Sequence, residues 1–398
     1  MIDSTLLLLV ILAIAADVAV VWYRRRAKRR AALHSSSRSI PAGLVIAKHP
    51  SGTRHPRRLS LDAALFIFTA LLFLVTRLIA LDRWPIYFFT DEAVNAVRAA
   101  ELLSNGLRDA HDVFLPTYFQ NAQVISLSTS VYAQVIPTAL LGLSVFVTRA
   151  VVVIITLSGT LAVGLILRDI FKFRFWWIGS LLISLTPAWF LHSRTAFEHP
   201  LWVSFYAWFM YFYLRYRTDQ PRHLLTALLC GALSFYSYNG GQLGVVVTGL
   251  LLLIVDARYH VRTLRARPRL LIAAVLVIIV VAAAYVRFYV ENGGEISQHL
   301  RLLDSYWTQA IPLSDKLGRL LQEYWNGLRP DYWFAPDNAR DLIRHQMKGY
   351  AQLPIYLLPF FAVGLIIALK RLGSAPHRTL LIALLIAPIG GVLTAANV

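Results

Sequence analysis

Carboxylates are scarce in this 398-residue chain, where 21 acids stand against 39 lysines and arginines. Two of them adjoin at Asp91-Glu92, in the phrase Tyr87-Phe88-Phe89-Thr90-Asp91-Glu92-Ala93, about ten residues after an apolar run. An ionised carboxylate at a helix start can take a proton from an attacking hydroxyl or hold a divalent ion. The same residue types also serve as a cap, with Thr90 at the N-cap and two acids complementing the helix dipole. The two readings are compatible.

Three other constellations carry chemistry-bearing side chains. The phrase His192-Ser193-Arg194-Thr195-Ala196-Phe197-Glu198-His199-Pro200 sits between two apolar runs. Arg194 and Glu198 are spaced for a helical ion pair; alternatively Glu198 joins Asp91 while Arg194 holds a phosphate. Phe235-Tyr236-Ser237-Tyr238-Asn239-Gly240-Gly241-Gln242 is a polar, aromatic break. It reads as a helix–helix turn, or as a headgroup wall with Tyr238 as a donor. Arg340, Arg344, His345 and Lys348 form a basic stripe on a short helix. Arginine geometry suits phosphate, and a solvated helix balanced by Asp337 and Asp341 is the alternative. There is no Walker A, HExxH or GxSxG sequence. The single cysteine, Cys230, excludes a disulfide framework and a cysteine-based metal site. No nucleotide cofactor is expected.

The elements that position these groups are apolar. The chain is 57% hydrophobic, above the roughly 45–50% of soluble domains, and a bilayer crossing needs about 20 apolar residues. Runs near 4–23, 63–81, 124–147, 149–167, 176–191, 200–214, 224–239, 241–255, 270–290, 354–369 and 379–397 meet or approach that. Backbone satisfaction in lipid predicts an all-α, polytopic transmembrane helical bundle of about 10–11 hydrophobic segments.

The net charge of +18 falls in short basic connections between runs, such as Arg215-Arg217-Arg222 and Arg258-Arg262-Arg265-Arg267-Arg269. That is the positive-inside pattern rather than a nucleic-acid surface. The basic cluster at 24–30 suits contact with anionic membrane lipids. Acids concentrate in 82–112 and 291–341, which the same rule puts outside. The organisation predicted is an anchor helix (1–23), a basic cytoplasmic linker (24–62) and a membrane region (63–398) with external loops 82–123 and 291–353. Within the first loop, Glu92 to Leu103 carries an apolar stripe and predicts an interfacial helix stopped by Asn105-Gly106. Parity requires one of the runs within 124–191 to be re-entrant or incomplete. Gln134 and Pro137 point to 124–147. The chain stops in or just past an apolar run, which predicts a truncated C-terminus.

Over residues 63–398 the sequence resembles the GT-C superfamily of membrane glycosyltransferases, closest to the protein mannosyltransferase-like family 39 branch that includes aminoarabinose transferases. The matching elements are the Asp91-Glu92 loop and its juxtamembrane helix, then Leu-Gly-Leu-Ser…Arg (Leu141 to Arg149). A Pro…His-Ser-Arg…Glu element follows (Pro187, His192, Ser193, Arg194, Glu198), and late in the chain Arg344, His345, Gly349, Pro359, Gly364 and Leu365. The resemblance implies an inverting transfer of a sugar from a polyprenyl-phosphate donor to an acceptor hydroxyl, at the extracytoplasmic side of a multi-pass cell-membrane protein. It implies Asp91 as base or acceptor holder, with a divalent metal in some members, and Glu92 in support. Arg194 and the Arg344 cluster would neutralise the departing phosphate, and Arg149, His192, Glu198, Tyr238, His345 and Lys348 would line the substrate site. The sequence leaves the acceptor open between glycan, lipid and protein. The competing class is a non-catalytic scaffold, or a transporter or flippase of lipid-linked glycans, which would favour ionisable groups inside the membrane and internal repeats. Arg77, Arg149 and Arg287 lie near run ends instead, where snorkelling suffices. A phosphatase or polymerase acting on the same lipids is the third class.

Overall fold

A computed structural model describes residues 60–121, 124–218, 220–337 and 342–393. The anchor helix expected at 1–23, nearly all of the linker and Arg340 lie outside the described residues. The described chain is mostly helical. Its first helix, α1 (Leu61–Leu78), is started by Ser60, whose hydroxyl accepts from the Ala63 amide at 3.2 Å. Thr69, Phe73 and Arg77 form its buried stripe at every fourth residue, while Ile67, Phe68, Leu71 and Val75 are exposed. A helix that is apolar on its exposed face is one solvated by lipid.

Helix α2 (Thr90–Ser104) follows, ended by Asn105 and by Gly106 at φ +61°. Phe89, not Thr90, occupies the N-cap: Glu92, at the third helical position, reaches back to accept from the Phe89 amide at 3.3 Å. An antiparallel hairpin of β1 (Tyr118–Asn121) and β2 (Val124–Leu127) comes next, with Tyr118 opposite Leu127. It uses the first four residues of the apolar run expected at 124–147. Most of the rest of that run forms α3 (Ser128–Leu141), with Pro137 inside it, and its last three residues begin the next helix. At 14 residues it is about 21 Å long, short of a bilayer core of roughly 30 Å. Ala99, Leu102, Phe119 and Val131 lock α2, β1 and α3 together.

The following helices are α4 (Val145–Leu165), which continues as a π turn to Ile170, α5 (Trp177–Leu185), α6 (Pro187–His192), α7 (His199–Arg217), α8 (His223–Phe235) and α9 (Asn239–Val255). Pro187 splits the 176–191 run into α5 and α6, because proline cannot continue a hydrogen-bonded helix. Helix α7 supplies Phe209, Met210, Tyr211, Tyr213, Leu214 and Tyr216 to the largest core cluster. It approaches α4 closely at Gly159, where a Cβ would lie 2.7 Å from Ser204 Cα.

Helix α10 (Ala257–Arg265) bends away from α9 by 78°. Helix α11 (Pro268–Leu302) runs 35 residues, past the end of the apolar run at 290 and into the expected loop. The loop's remainder holds a 3-10 turn at Tyr306–Thr308, α12 (Leu313–Leu328), α13 (Pro330–Phe334) and a second 3-10 turn, Ile343–His345. Extended backbone at Gln346 ends that turn, so the stripe expected from Arg344 to Lys348 on one helix does not form. The helices α14 (Leu358–Lys370) and α15 (Ala375–Ile386) complete the described chain. Among the described residues, Leu61–Leu78, Val145–Ile170 and Pro268–Val290 are each long and apolar enough to cross a membrane, and α9 with α10 passes as a bent pair. With the shorter apolar helices, this is a multi-pass membrane protein.

Candidate functional site

Asp91 and Glu92 are neighbours in sequence with opposite surroundings. Glu92 and Arg149 are fully buried, with the guanidinium held at 2.9 and 3.0 Å by the two carboxylate oxygens. Glu92 also accepts from the Ala196 amide at 2.7 Å. Arg149 spends its remaining donors on the carbonyls of Leu81, Pro85 and Tyr87. A buried carboxylate survives as a charge only when so paired. The pair pins the 81–92 segment to α4, and neither side chain faces open space.

Asp91 instead keeps 43% of its side chain exposed. Its Oδ1 accepts from the Asn121 amide at 3.4 Å, and Oδ2 lies 3.7 Å from the Arg344 guanidinium. Arg344 rests between the Phe89 and Phe197 rings, 5.7 and 5.9 Å from their centroids. Asn121 also reaches Ser126 Oγ at 3.4 Å, and Ser126 in turn bonds the Glu198 carboxylate. The hairpin thus sets Asp91 and Glu198 into one polar chain. Burial pushes the Glu198 carboxyl up to about 8, against the Ser126 bond and with the charge of Asp91 adding to the rise.

Three imidazoles close the other side. His192 ends α6, His199 opens α7, and His345 lies on the 3-10 turn that carries Arg344. His192 Nδ1 and His199 Nε2 are 2.8 Å apart. The His345 ring is 5.4 Å from His192 and 5.3 Å from His199 by centroids. Burial holds His192 down to about 3 and His345 down to about 4; the neighbouring His345 adds to the first and Arg344 to the second. The Tyr238 ring is 6.1 Å from His199, and burial pushes its phenol up to about 12.

Arg194 lies elsewhere than the spacing suggested. Its two terminal nitrogens donate to the carbonyls of Thr76, Arg77, Ile79, Ala80 and Trp84, at 2.7–3.3 Å. It caps the C-terminal end of α1, whose last carbonyls have no helical partner. It neither pairs with Glu198 nor has terminal donors left for a phosphate. Lys348 is exposed beyond the turn. The structure therefore gathers Asp91, His192, Glu198, Tyr238, Arg344 and His345, and places Glu92, Arg149 and Arg194 in the scaffold beneath them. Sequence reasoning did not consider Asn121 or Ser126, and it noted His199 in the 192–200 phrase without giving it a site role. The period-two burial of Phe119 and Asn121 was a usable strand signal. The pairing of His199 with a residue nearly 150 positions later left none.

Which residues fit a metal follows from the donors. Asp91 Oδ2 has a guanidinium beside it. Among the described residues, the group of three ligand atoms lying within 4.8 Å of one another is the histidine set His192, His199 and His345.

The sequence matches no family model, and no curated protein matches it. Among solved structures it is similar to the archaeal oligosaccharyltransferase AglB from Archaeoglobus fulgidus in complex with an inhibitory peptide and a dolichol-phosphate. That likeness has a TM-score of 0.49 and 15% identity, over 84% of this chain and 49% of the other. It is also similar to ArnT from Cupriavidus metallidurans bound to undecaprenyl phosphate, with a TM-score of 0.47 and 13% identity, over 83% of this chain and 59% of the other. This chain spans about half the length of the structures it resembles.

Proposed function

We propose that this chain is an integral membrane glycosyltransferase of the GT-C kind, in the branch related to protein mannosyltransferases. It moves a sugar from a polyprenyl-phosphate donor to an acceptor hydroxyl at the outer face of the cell membrane. The observation that carries the reading is the half-exposed Asp91 carboxylate facing the Arg344 guanidinium at 3.7 Å, over an aromatic floor. That separation exceeds a hydrogen bond, so the pair is loose and a phosphate can take the guanidinium from it.

The acceptor oxygen attacks the anomeric carbon and its proton passes to Asp91. The bond from that carbon to the phosphate oxygen breaks, and the leaving phosphate keeps the electron pair. Arg344 then neutralises that phosphate, an electrostatic contribution made in a site shielded by phenyl rings. Asn121 and the hairpin hold Asp91 in place. Glu92 and Arg149 position the helix that carries it, and Arg194 holds the end of α1 beside it. His192, Glu198, Tyr238 and His345 line the space around the reacting groups. A divalent ion, held by Asp91 in place of Arg344, would supply the same positive charge.

The test is Asp91→Asn in protein reconstituted into membranes and supplied with a polyprenyl-phosphate-sugar donor. Loss of a positioned base lowers turnover by about 10²–10⁴-fold, with folding and carrier-lipid binding intact. A variant that turns over as wild type does removes Asp91 from the chemistry. A wild-type protein that releases no sugar from any donor overturns the enzyme reading.

A further inference from the structure

Three histidines from three separate segments converge beside Asp91, and the chemistry above does not need them to. We propose that His192, His199 and His345 form a binding site for a divalent transition metal of the zinc class. The metal acts as a clasp that fixes the 342–350 segment, and with it Arg344, onto the ends of α6 and α7.

The ligand atoms lie within 4.8 Å of one another. Zinc–imidazole bonds of about 2.0–2.1 Å in a tetrahedron put ligand nitrogens roughly 3.3 Å apart. The His192–His199 pair, now at 2.8 Å, opens by about half an ångström to reach that, and His345 closes in. Two ring pairs meet edge to face, 85° between His192 and His199 and 80° between His199 and His345, and the His192 and His345 planes are tilted by 38°. None of the three pairs is stacked.

A second observation points the same way. His345 Nδ1 is buried with no hydrogen-bond partner; a metal there takes the Nδ1 lone pair and leaves the ring proton on Nε2, so the long 3.3 Å contact from Arg344 Nε gives way on binding. A buried polar atom left unpaired is costly, and such atoms call for an explanation such as an unseen ion. An all-imidazole donor set selects zinc, cobalt, nickel or copper over magnesium or calcium, which take oxygen ligands. Three protein ligands leave a fourth position open.

The clasp has a mechanical consequence, which alone rests on the function proposed above. Arg344 precedes His345 on a three-residue turn. Anchoring His345 sets how far the Arg344 guanidinium stands from Asp91. The metal would then order the cation that meets the leaving phosphate, without itself touching the reacting atoms.

Binding is tested on the full chain in detergent, stripped with a chelator and titrated with Co²⁺ as an optical probe. Wild type takes up one equivalent, gains visible d–d absorption and loses it to Zn²⁺. His192→Ala, His199→Ala and His345→Ala each weaken binding by more than the ~10–100-fold seen for losing an outer-shell partner. Asp91→Asn leaves affinity and stoichiometry unchanged. Metal also slows protease cleavage within 342–353 in wild type and not in His345→Ala. Folded wild type that binds neither Co²⁺ nor Zn²⁺ at micromolar concentration overturns the proposal, leaving a hydrogen-bonded histidine pair. Binding lost in Asp91→Asn but kept in His345→Ala also overturns it, since a carboxylate would then be the ligand. Neither readout needs a sugar donor, so its failure is separable from failure of the transferase reading.

Discussion

The two ends of α7 each carry a cluster of charged and aromatic groups, and they differ in how completely those groups are satisfied. At the C-terminal end, Asp256 is buried, with a side chain 2% exposed. It accepts from Arg217 at 2.8 and 3.1 Å, from the Tyr213 hydroxyl at 2.7 Å and from Arg378. His260 completes the set through Tyr216, at 3.0 Å. Each partner comes from a different part of α7, α10 or α15, and the aspartate ties them together. At the N-terminal end, about 27 Å away along the helix, the His192–His199 bond is short but the contacts of Asp91 are long. Asp91 stands 3.7 Å from its arginine, and His345 Nδ1 has no partner. Saturation marks a joint, whereas incomplete pairing leaves capacity for something that arrives. Glu92 and Asp91 repeat the contrast within two residues.

The largest effect expected is at the saturated end. Asp256→Ala leaves the partly exposed Arg217 and Arg378 guanidiniums without their counter-charge and the buried Tyr213 hydroxyl without its acceptor, which costs about 3 kcal/mol of stability, the low end for a buried pair. It appears as a lowered unfolding midpoint in detergent, while turnover per folded molecule holds. Burial alone would raise the Asp256 carboxyl, but the bonds from Tyr213, Arg217 and Arg378 outweigh it and hold it below the usual range. Its contribution is therefore complete above the unfolded value of about 3.9 and is lost as pH falls through the folded value. An unchanged midpoint in Asp256→Ala would erase the contrast between the two ends. Asp91→Asn should be its mirror image, with rate lost by orders of magnitude and stability nearly kept.

A smaller effect belongs to Arg344, the exposed cation. Arg344→Ala removes charge-assisted bonds worth about 1.5–3 kcal/mol, roughly a 10–150-fold loss in kcat/KM for a phosphate-linked donor. Arg344→Lys restores part of it, because a lysine lacks the planar fork that stacks between Phe89 and Phe197. Equal kcat/KM in wild type and Arg344→Ala would show that Arg344 does not meet the phosphate.

What the sequence made legible follows from range. Apolar runs are local, so the helices came through, as did the short character of 124–147 from Gln134 and Pro137. The acids of the first α2 turn and the Asn105-Gly106 stop were also readable, because caps act over four residues. Arg149 and Arg194 were not. Their residue type suits phosphate, yet apart from Glu92 for Arg149 their partners are backbone carbonyls 62–118 positions away, and carbonyls leave no mark in a sequence. The same limit hid the histidine set. His192 and His199 are seven apart, but the 3-10 turn that brings His345 is placed by tertiary packing alone. Helix α11 overran its apolar run because its polar extension keeps forming helix past the last run residue, to the cap at Leu303.

The smallest effect is the most discriminating between the two ends. Asn121 donates to Asp91 at 3.4 Å and to Ser126 at 3.4 Å, both at the long limit for an amide donor. Such bonds sit low in the range of about 0.5–1.5 kcal/mol for a typical hydrogen bond. Asn121→Ala should therefore lower kcat by less than about tenfold. KM should hold, because Asn121 steadies the base and does not touch the donor. If Asn121 were instead a joint of the Asp256 kind, its loss would lower the unfolding midpoint and leave kcat per folded molecule unchanged. A fall in kcat with the midpoint held makes the hairpin part of the site; a fall in midpoint alone moves it into the scaffold with Glu92 and Arg149.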